Sequence, residues 1–265
     1  MHPQVSCRPL VAQCTLALPS ILRAPALTTL AGSSTADRLA AYRSPAWREE
    51  FRRGQEWLVA ARDPWRDLVV ISSASNANCV GRSIAAIAAE LNSDPVDVLF
   101  DLAVDDGLET TVQLTYGNSD QAEVSELLGV DGTVLGLSDG GAHPAQSCDA
   151  VLPTDLLGPW VRDRKALTLE RAVHKLTAEP AALLGLAGRG LIRTGSFADL
   201  VVFDPKTIGP GPVRMIDDLP GGGERLVADR PTGIDHVLVN GVGVRVDGAM
   251  VESENAPGRV LRNGT

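Results

Sequence analysis

The chain has 265 residues, long enough for one large α/β domain or two smaller ones with a sizeable core. Hydrophobic residues make up 44% and charged residues 22%, a globular balance. A formal net charge of −9 with no basic run argues against nucleic acid and anionic membrane as partners.

Residues 1–9 read as a brief extended piece followed by prolines. Residues 10–34 are apolar but broken by Pro19 and Pro25, which predicts short helices over a core. The apolar stretch Leu10 to Leu22 also raises a signal peptide. Gln13 and Pro19 interrupt it, no basic segment precedes Arg8, and no small-x-small cleavage site follows, so a cytoplasmic protein is expected. No apolar run reaches the ~20 residues of a membrane helix.

From Thr35, a candidate N-cap, the apolar residues Leu39, Tyr42, Trp47, Phe51, Trp57 and Leu58 recur at roughly helical spacing, with a break at Pro45. These aromatics are expected in the core. Leu68–Ile71 predicts a strand and residues 72–81 a polar loop. Ser83 caps a helix through Leu91. Asp94 caps the next, with Pro95 at its first position, where the missing N–H costs nothing. Thr110–Leu114 predicts a strand ending near Tyr116, then a helix from Asp120 to Leu128, then a strand at 133–137. That strand runs into Gly136-Leu-Ser-Asp-Gly-Gly-Ala-His143, where Asp139 occupies a glycine-rich loop at a strand end, a place where chemistry collects in α/β folds.

Helices are predicted over 153–164 and 168–186, so residues 67–186 alternate strand and helix, a pattern pointing to a parallel sheet or barrel. From 188 onward the pattern is all-β. Leu200–Phe203 is a strand, 209–223 a glycine- and proline-rich loop, and 236–246 a hairpin around Asn240-Gly241. Cys7, Cys14, Cys79 and Cys148 form no C-x-x-C pair and are expected as free thiols. No G-x-G-x-x-G or P-loop follows any strand, and Ser138 lacks a G-x-S-x-G setting.

Five stretches, in order, carry a resemblance: PQVSCRPL (3–10), GRSIAAIAAELNSDPVDVLFDLAVDDGLET (81–110), GLSDGGAH (136–143), KLTAEPAALLGLAGRGLIRTGSFADLVVFDP (175–205) and HVLVNGV (236–242). The chain resembles the C-terminal part of N-acyl-D-amino-acid deacylases of the metal-dependent amidohydrolase superfamily. The resemblance implies an α/β fold: the C-terminal part of a distorted (β/α)8 barrel (TIM barrel) over residues 1–187, plus part of a small β-sandwich over 188–265. It implies hydrolysis of non-peptide C–N (amide) bonds in a small N-acyl amino acid, with zinc as cofactor. Asp139 is then a metal-site carboxylate and the general acid/base that moves a proton from the attacking water to the leaving amine. Arg8 and Tyr116, near strand ends, are candidate substrate-binding residues, and His143 is a weaker one.

A zinc hydrolase site needs about three protein ligands plus an open position. This chain has four histidines, His2, His143, His174 and His236, and none forms H-x-H or H-x-x-x-H. Asp139 alone cannot hold a catalytic metal. The reading is therefore a truncated or split chain, completed by a missing N-terminal half or in a homo-oligomer, or else a catalytically inactive remnant. His174 is expected to face solvent, and His236 to pack or face solvent.

Overall fold

The computed structural model describes residues 2–54, 63–136, 143–252 and 256–261. Trp57 and Leu58 of the expected helical stretch lie outside the described residues, as does Asp139.

In chain order, strand β1 (Gln4–Val5) is followed by β2 (Leu10–Thr15). The expectation of short helices throughout 10–34 is thus corrected at its start. Val11, Cys14 and Thr15 suit a pleated, half-buried surface, and β2 finds a partner strand. The helices follow: α1 (Pro25–Thr28), α2 (Thr35–Arg43), α3 (Pro45–Arg53) and the single turn α4 (Pro64–Asp67). The cap of α2 is Ser34 rather than Thr35. Its hydroxyl accepts from the Asp37 N–H while the Asp37 carboxylate accepts from the Ser34 N–H, a reciprocal capping box. Strand β3 (Leu68–Ser72), helices α5 (Ile84–Leu91) and α6 (Pro95–Asp105), strand β4 (Thr111–Gly117), helix α7 (Gln121–Gly129) and strand β5 (Val134–Leu135) come next. Ser83, Asp94 and Asp120 accept backbone N–H bonds at the starts of their helices.

Helix α8 (Leu152–Asp155) continues as a π-helical segment, Leu156–Asp163. Pro159 removes one N–H from that ladder, and the Arg164 N–H reaches the Pro159 carbonyl at 3.0 Å, five residues back. Helices α9 (Leu169–Leu176) and α10 (Ala178–Leu183) replace the single helix expected over 168–186. Thr177 leaves helical geometry between them, which places Pro180 in a first turn, where its missing N–H is tolerated. Strands β6 (Leu200–Phe203), β7 (Val213–Leu219), β8 (Gly223–Ala228), β9 (Ile234–Val239), β10 (Val242–Val246) and β11 (Ala249–Met250) complete the order. The loop expected over 209–223 contains β7, which pairs antiparallel with β8. Its glycines and prolines sit at the two ends, 209–212 and 220–223, and leave a strand-forming VRMIDDL between them. The β9–β10 turn has Asn240 and Gly241 both at positive φ, as a two-residue hairpin requires.

Two compact units form. One comprises residues 9–119 and 145–147, the other 1–8, 120–144 and 148–265. In the first unit, β2-β4-β3 make a three-stranded sheet with both outer strands antiparallel to β4. The alternation of strands and helices suggested parallel pairing. Here β3 and β4 are joined by two helices in series, so the chain makes an extra traverse and enters β4 in the reverse direction. A single crossover helix would have given a parallel pair. Val112 and Leu114 of β4 point into a core that holds Leu68, Val70, Leu99 and Phe100. The aromatics Tyr42, Trp47 and Phe51 lie in the core as expected, and pack ring to ring with Phe100 with centroids 4.7–5.8 Å apart.

In the second unit, β1 and β5 pair in parallel, Gln4 with Val134 and Val5 with Leu135. A small core gathers Val5, Cys7, Leu128, Leu156, Trp160 and Ile208. Gly158 has no room for a side chain, since a Cβ there would lie 2.6 Å from the Ile208 carbonyl oxygen. The strands after 188 form the sheet β11-β10-β9-β6 and the pair β7-β8.

Candidate functional site

The expected site residues divide between the two units. Tyr116 lies on β4 in the first unit, half-buried against its core. Arg8 and His143 lie in the second. Asp139, the residue on which the site was centred, lies outside the described residues. His143 is exposed, with φ at +46°, a conformation that costs energy in a residue other than glycine. The Pro144 carbonyl that follows accepts the Leu226 N–H at 2.7 Å, tying the loop to β8. His174 on α9 is exposed, as expected, and His236 lies 3.7 Å from the Asp247 carboxylate at the surface.

Arg8 is the most structured of the candidates. It follows β1, so its position is set by the parallel β1–β5 pair. Its Nε donates to Asp149 Oδ1 at 2.7 Å and its Nη1 to Asp155 Oδ1 at 3.3 Å, with 18% of the side chain exposed. The planar guanidinium is thereby held between two carboxylates from different stretches, a fixed geometry that a lysine could not reproduce. Burial pushes the Asp155 carboxyl above its ordinary range, and the neighbouring Arg8 charge only partly offsets this. The Cys7 thiol points at the same Asp155 carboxylate, 3.9 Å from Oδ2. Burial, and then the nearby Asp155 charge, push that thiol to about 12, so Cys7 is an inert packing group rather than a nucleophile.

Asp149 and Asp155 were not anticipated. Asp155 had a signal: it is the lone charge in VLPTDLL, where helical spacing buries its neighbours Leu152 and Leu156. A second unforeseen group is Lys175, 2% exposed on α9. Its Nζ donates to the Thr133 carbonyl at 2.7 Å and lies 3.6 Å from Glu179 Oε2. It pins the residue just before β5, the strand that leads toward Asp139. Its signal was position, one helical turn beyond the buried Ala172, but a lysine beside a histidine reads as a solvated pair.

In the first unit, Asp106 fastens the loop after β3. Its carboxylate accepts from the Ser75 N–H at 2.8 Å, the Ala74 N–H at 3.2 Å and the Thr110 hydroxyl at 2.9 Å. Burial alone would raise its pKa, but these bonds outweigh burial and hold it below the ordinary carboxylate range. These bonds tie the loop after β3 to the end of α6, a structural role.

Among the described residues, no group of three or more His, Cys, Asp or Glu side chains could hold a metal ion. A cavity of about 690 Å³ opens in the second unit between α9 and β6, with Leu157, Val173, Leu176 and Val201 among its walls.

The sequence model of the amidohydrolase family matches residues 45–244. The N-acyl-D-glutamate deacylase of Alcaligenes xylosoxydans xylosoxydans is 34% identical over 203 residues, covering 74% of this chain and 36% of that protein. The D-aminoacylase of the same organism is 34% identical over 187 residues, covering 68% of this chain and 34% of that protein. Among solved structures, the N-acyl-D-glutamate deacylase of Bordetella bronchiseptica, complexed with zinc and a phosphonate mimic of the tetrahedral intermediate, is 30% identical. It covers 70% of this chain and 36% of that one, with a TM-score of 0.41. The chain thus spans about a third of the length of the curated relatives it matches.

Proposed function

The chain belongs to the amidohydrolase family, and we propose that it forms part of a hydrolase that cleaves the amide bond of N-acyl-D-amino acids. The observation that carries this reading is the 34% identity to an N-acyl-D-glutamate deacylase over 203 residues. Hydrolysis breaks the acyl C–N bond with water, which loses a proton as it attacks, while the departing nitrogen gains one. One carboxylate can serve both ends of that transfer, and Asp139 in GLSDGGAH is the residue we assign to it. Arg8 is assigned to the substrate carboxylate, supported by its oriented, partly exposed guanidinium. Tyr116 and His143 are assigned to the substrate side of the site. The partial barrel over 1–187 and the partial sandwich over 188–265 belong to the same proposal. Free thiols at Cys7, Cys14, Cys79 and Cys148 support a cytoplasmic setting.

Zinc fits the family, but the described residues do not fit zinc: they assemble no ligand cluster, and the four histidines share no ligand spacing. Zinc is therefore assigned only to an assembled enzyme whose histidine ligands come from outside these 265 residues, from the rest of a deacylase chain. The same histidine count favours a second reading, a catalytically inactive remnant or partner subunit of a split amidohydrolase.

Complementation separates the two. The chain is co-expressed with the part of an N-acyl-D-glutamate deacylase that it does not match, and amine release from N-acyl-D-amino acids is measured with zinc supplied. Hydrolysis by the associated pair, reduced about 100-fold or more by Asp139→Asn, is expected. A soluble, associated pair that hydrolyses nothing establishes the inactive reading.

A further inference from the structure

The Arg8 guanidinium has two anchors of unequal kind. Asp149 Oδ1 accepts its Nε–H at 2.7 Å, and Asp155 Oδ1 accepts from Nη1 at 3.3 Å. Contacts at two different nitrogens fix the rotation of the planar fork, which one contact leaves loose. Arg8 follows β1, Asp149 precedes α8, and Asp155 is the last residue of α8. Asp149 is held in turn by its own backbone, because its carbonyl accepts the Leu152 N–H at 3.0 Å at the turn into α8. Asp155 is shared: the Cys7 thiol lies 3.9 Å from its other oxygen, and the Arg164 charge also acts on it. The two carboxylate side chains are 13% and 14% exposed, and 18% of the Arg8 side chain meets solvent.

Charge and geometry predict opposite effects of Asp149. Two carboxylates beside one guanidinium weaken its pull on an incoming anion. On charge alone, removing Asp149 would tighten the binding of a substrate carboxylate. Geometry acts the other way. A loose arginine loses rotamer freedom when a ligand orders it, whereas an arginine already ordered has little left to lose. The shorter contact, at the Nε that sets the plane, belongs to Asp149. We infer that Asp149 is a positioning residue: it holds the Arg8 guanidinium in the orientation that receives the substrate carboxylate, and the gain in order outweighs the loss in attraction. This role rests on the assignment of Arg8 to that carboxylate under the proposed function, but it shows in side-chain order and binding as well as in hydrolysis.

The test uses the full chain, isotope-labelled for nuclear magnetic resonance. N-acetyl-D-leucine is the probe, and its methylamide, which lacks the carboxylate, is the control. The Arg8 Nε–H resonance, assigned by its loss in Arg8→Lys, should be sharp and slow to exchange with water. It should move with the acid and not with the methylamide. Asp149→Ala, which removes both anchor and charge, should broaden that resonance and weaken binding of the acid about tenfold. Asp149→Asn, which removes the charge but keeps an oxygen for the Nε–H, should restore both to within about twofold of the native chain. Rescue by asparagine is the outcome that a charge effect does not give. Should Asp149→Ala not fold, Asp149→Ser, too short to reach Nε, takes its place. Tighter binding in both the alanine and asparagine variants overturns the inference. So does an equally sharp Arg8 resonance in Asp149→Ala, or a native chain whose Arg8 resonance the acid leaves unmoved. An associated pair without hydrolysis, by contrast, defeats the proposed activity and leaves the anchoring of Arg8 standing.

Discussion

The first unit and the sheet after residue 188 are built from similar residues to opposite effect. Around β2-β4-β3, helices α1 to α6 bring apolar faces over the sheet, and Tyr42, Phe51, Leu68 and Phe100 are each no more than 1% exposed. In the sheet β11-β10-β9-β6, valines of the same kind stand in the open, Val201, Val202, Val242 and Val246 among them. Strand propensity is alike in both, so what differs is the second layer. A sheet becomes a core only when another element covers its face, and the later sheet is covered only in part, where Phe203 and Ile234 pack against the second unit's core.

The largest expected effect lies in the covered region. Phe100→Ala should cost about 3–5 kcal/mol by urea denaturation, because four-way ring packing leaves little room for collapse. A cost under 1 kcal/mol would show that the two regions are packed alike. Next comes Arg8→Met, which strands Asp149 and Asp155 at 13% and 14% exposure. A loss of about 2–3 kcal/mol is expected, less than for a fully buried pair because water still reaches the site. Ser34→Ala, which removes a capping box, should cost about 1 kcal/mol. Val201→Thr on the uncovered edge should change stability by less than about 0.5 kcal/mol in the isolated chain.

Asp155 adds a pH dependence to the comparison. Its folded pKa is raised, so the folded state favours the protonated carboxyl. The stabilisation it gives is present at acid pH and is lost as pH rises from the ordinary carboxylate range through the raised value. Asp155→Asn should flatten that part of the urea midpoint against pH curve. An unchanged slope would mean that Asp155 is solvated in solution.

Much of the first unit was legible in the sequence because its signals are local. Ser83 and Asp94 cap their helices through bonds two or three residues away, and Pro95 sits where its missing N–H is harmless. The spacing of Tyr42, Trp47 and Phe51 already marked a core. Strand β2 was missed because LVAQCT has no alternation strong enough to show without its partner β4. Strand β7 was missed because glycines and prolines at its ends coloured the whole stretch.

By itself the sequence determined the helix starts at Ser83 and Asp94, the Tyr42, Trp47 and Phe51 core set, the Asn240-Gly241 turn and, through its ordered motifs, the amidohydrolase family. Each follows from chemistry within a few residues or from residue identity. Only the tertiary structure decided that β3 and β4 run antiparallel, that Arg8 is clamped by Asp149 and Asp155, that Lys175 lies buried against Thr133, and that β6 is an apolar edge. These are contacts between residues as many as 147 positions apart, fixed by chain direction and by which surfaces meet.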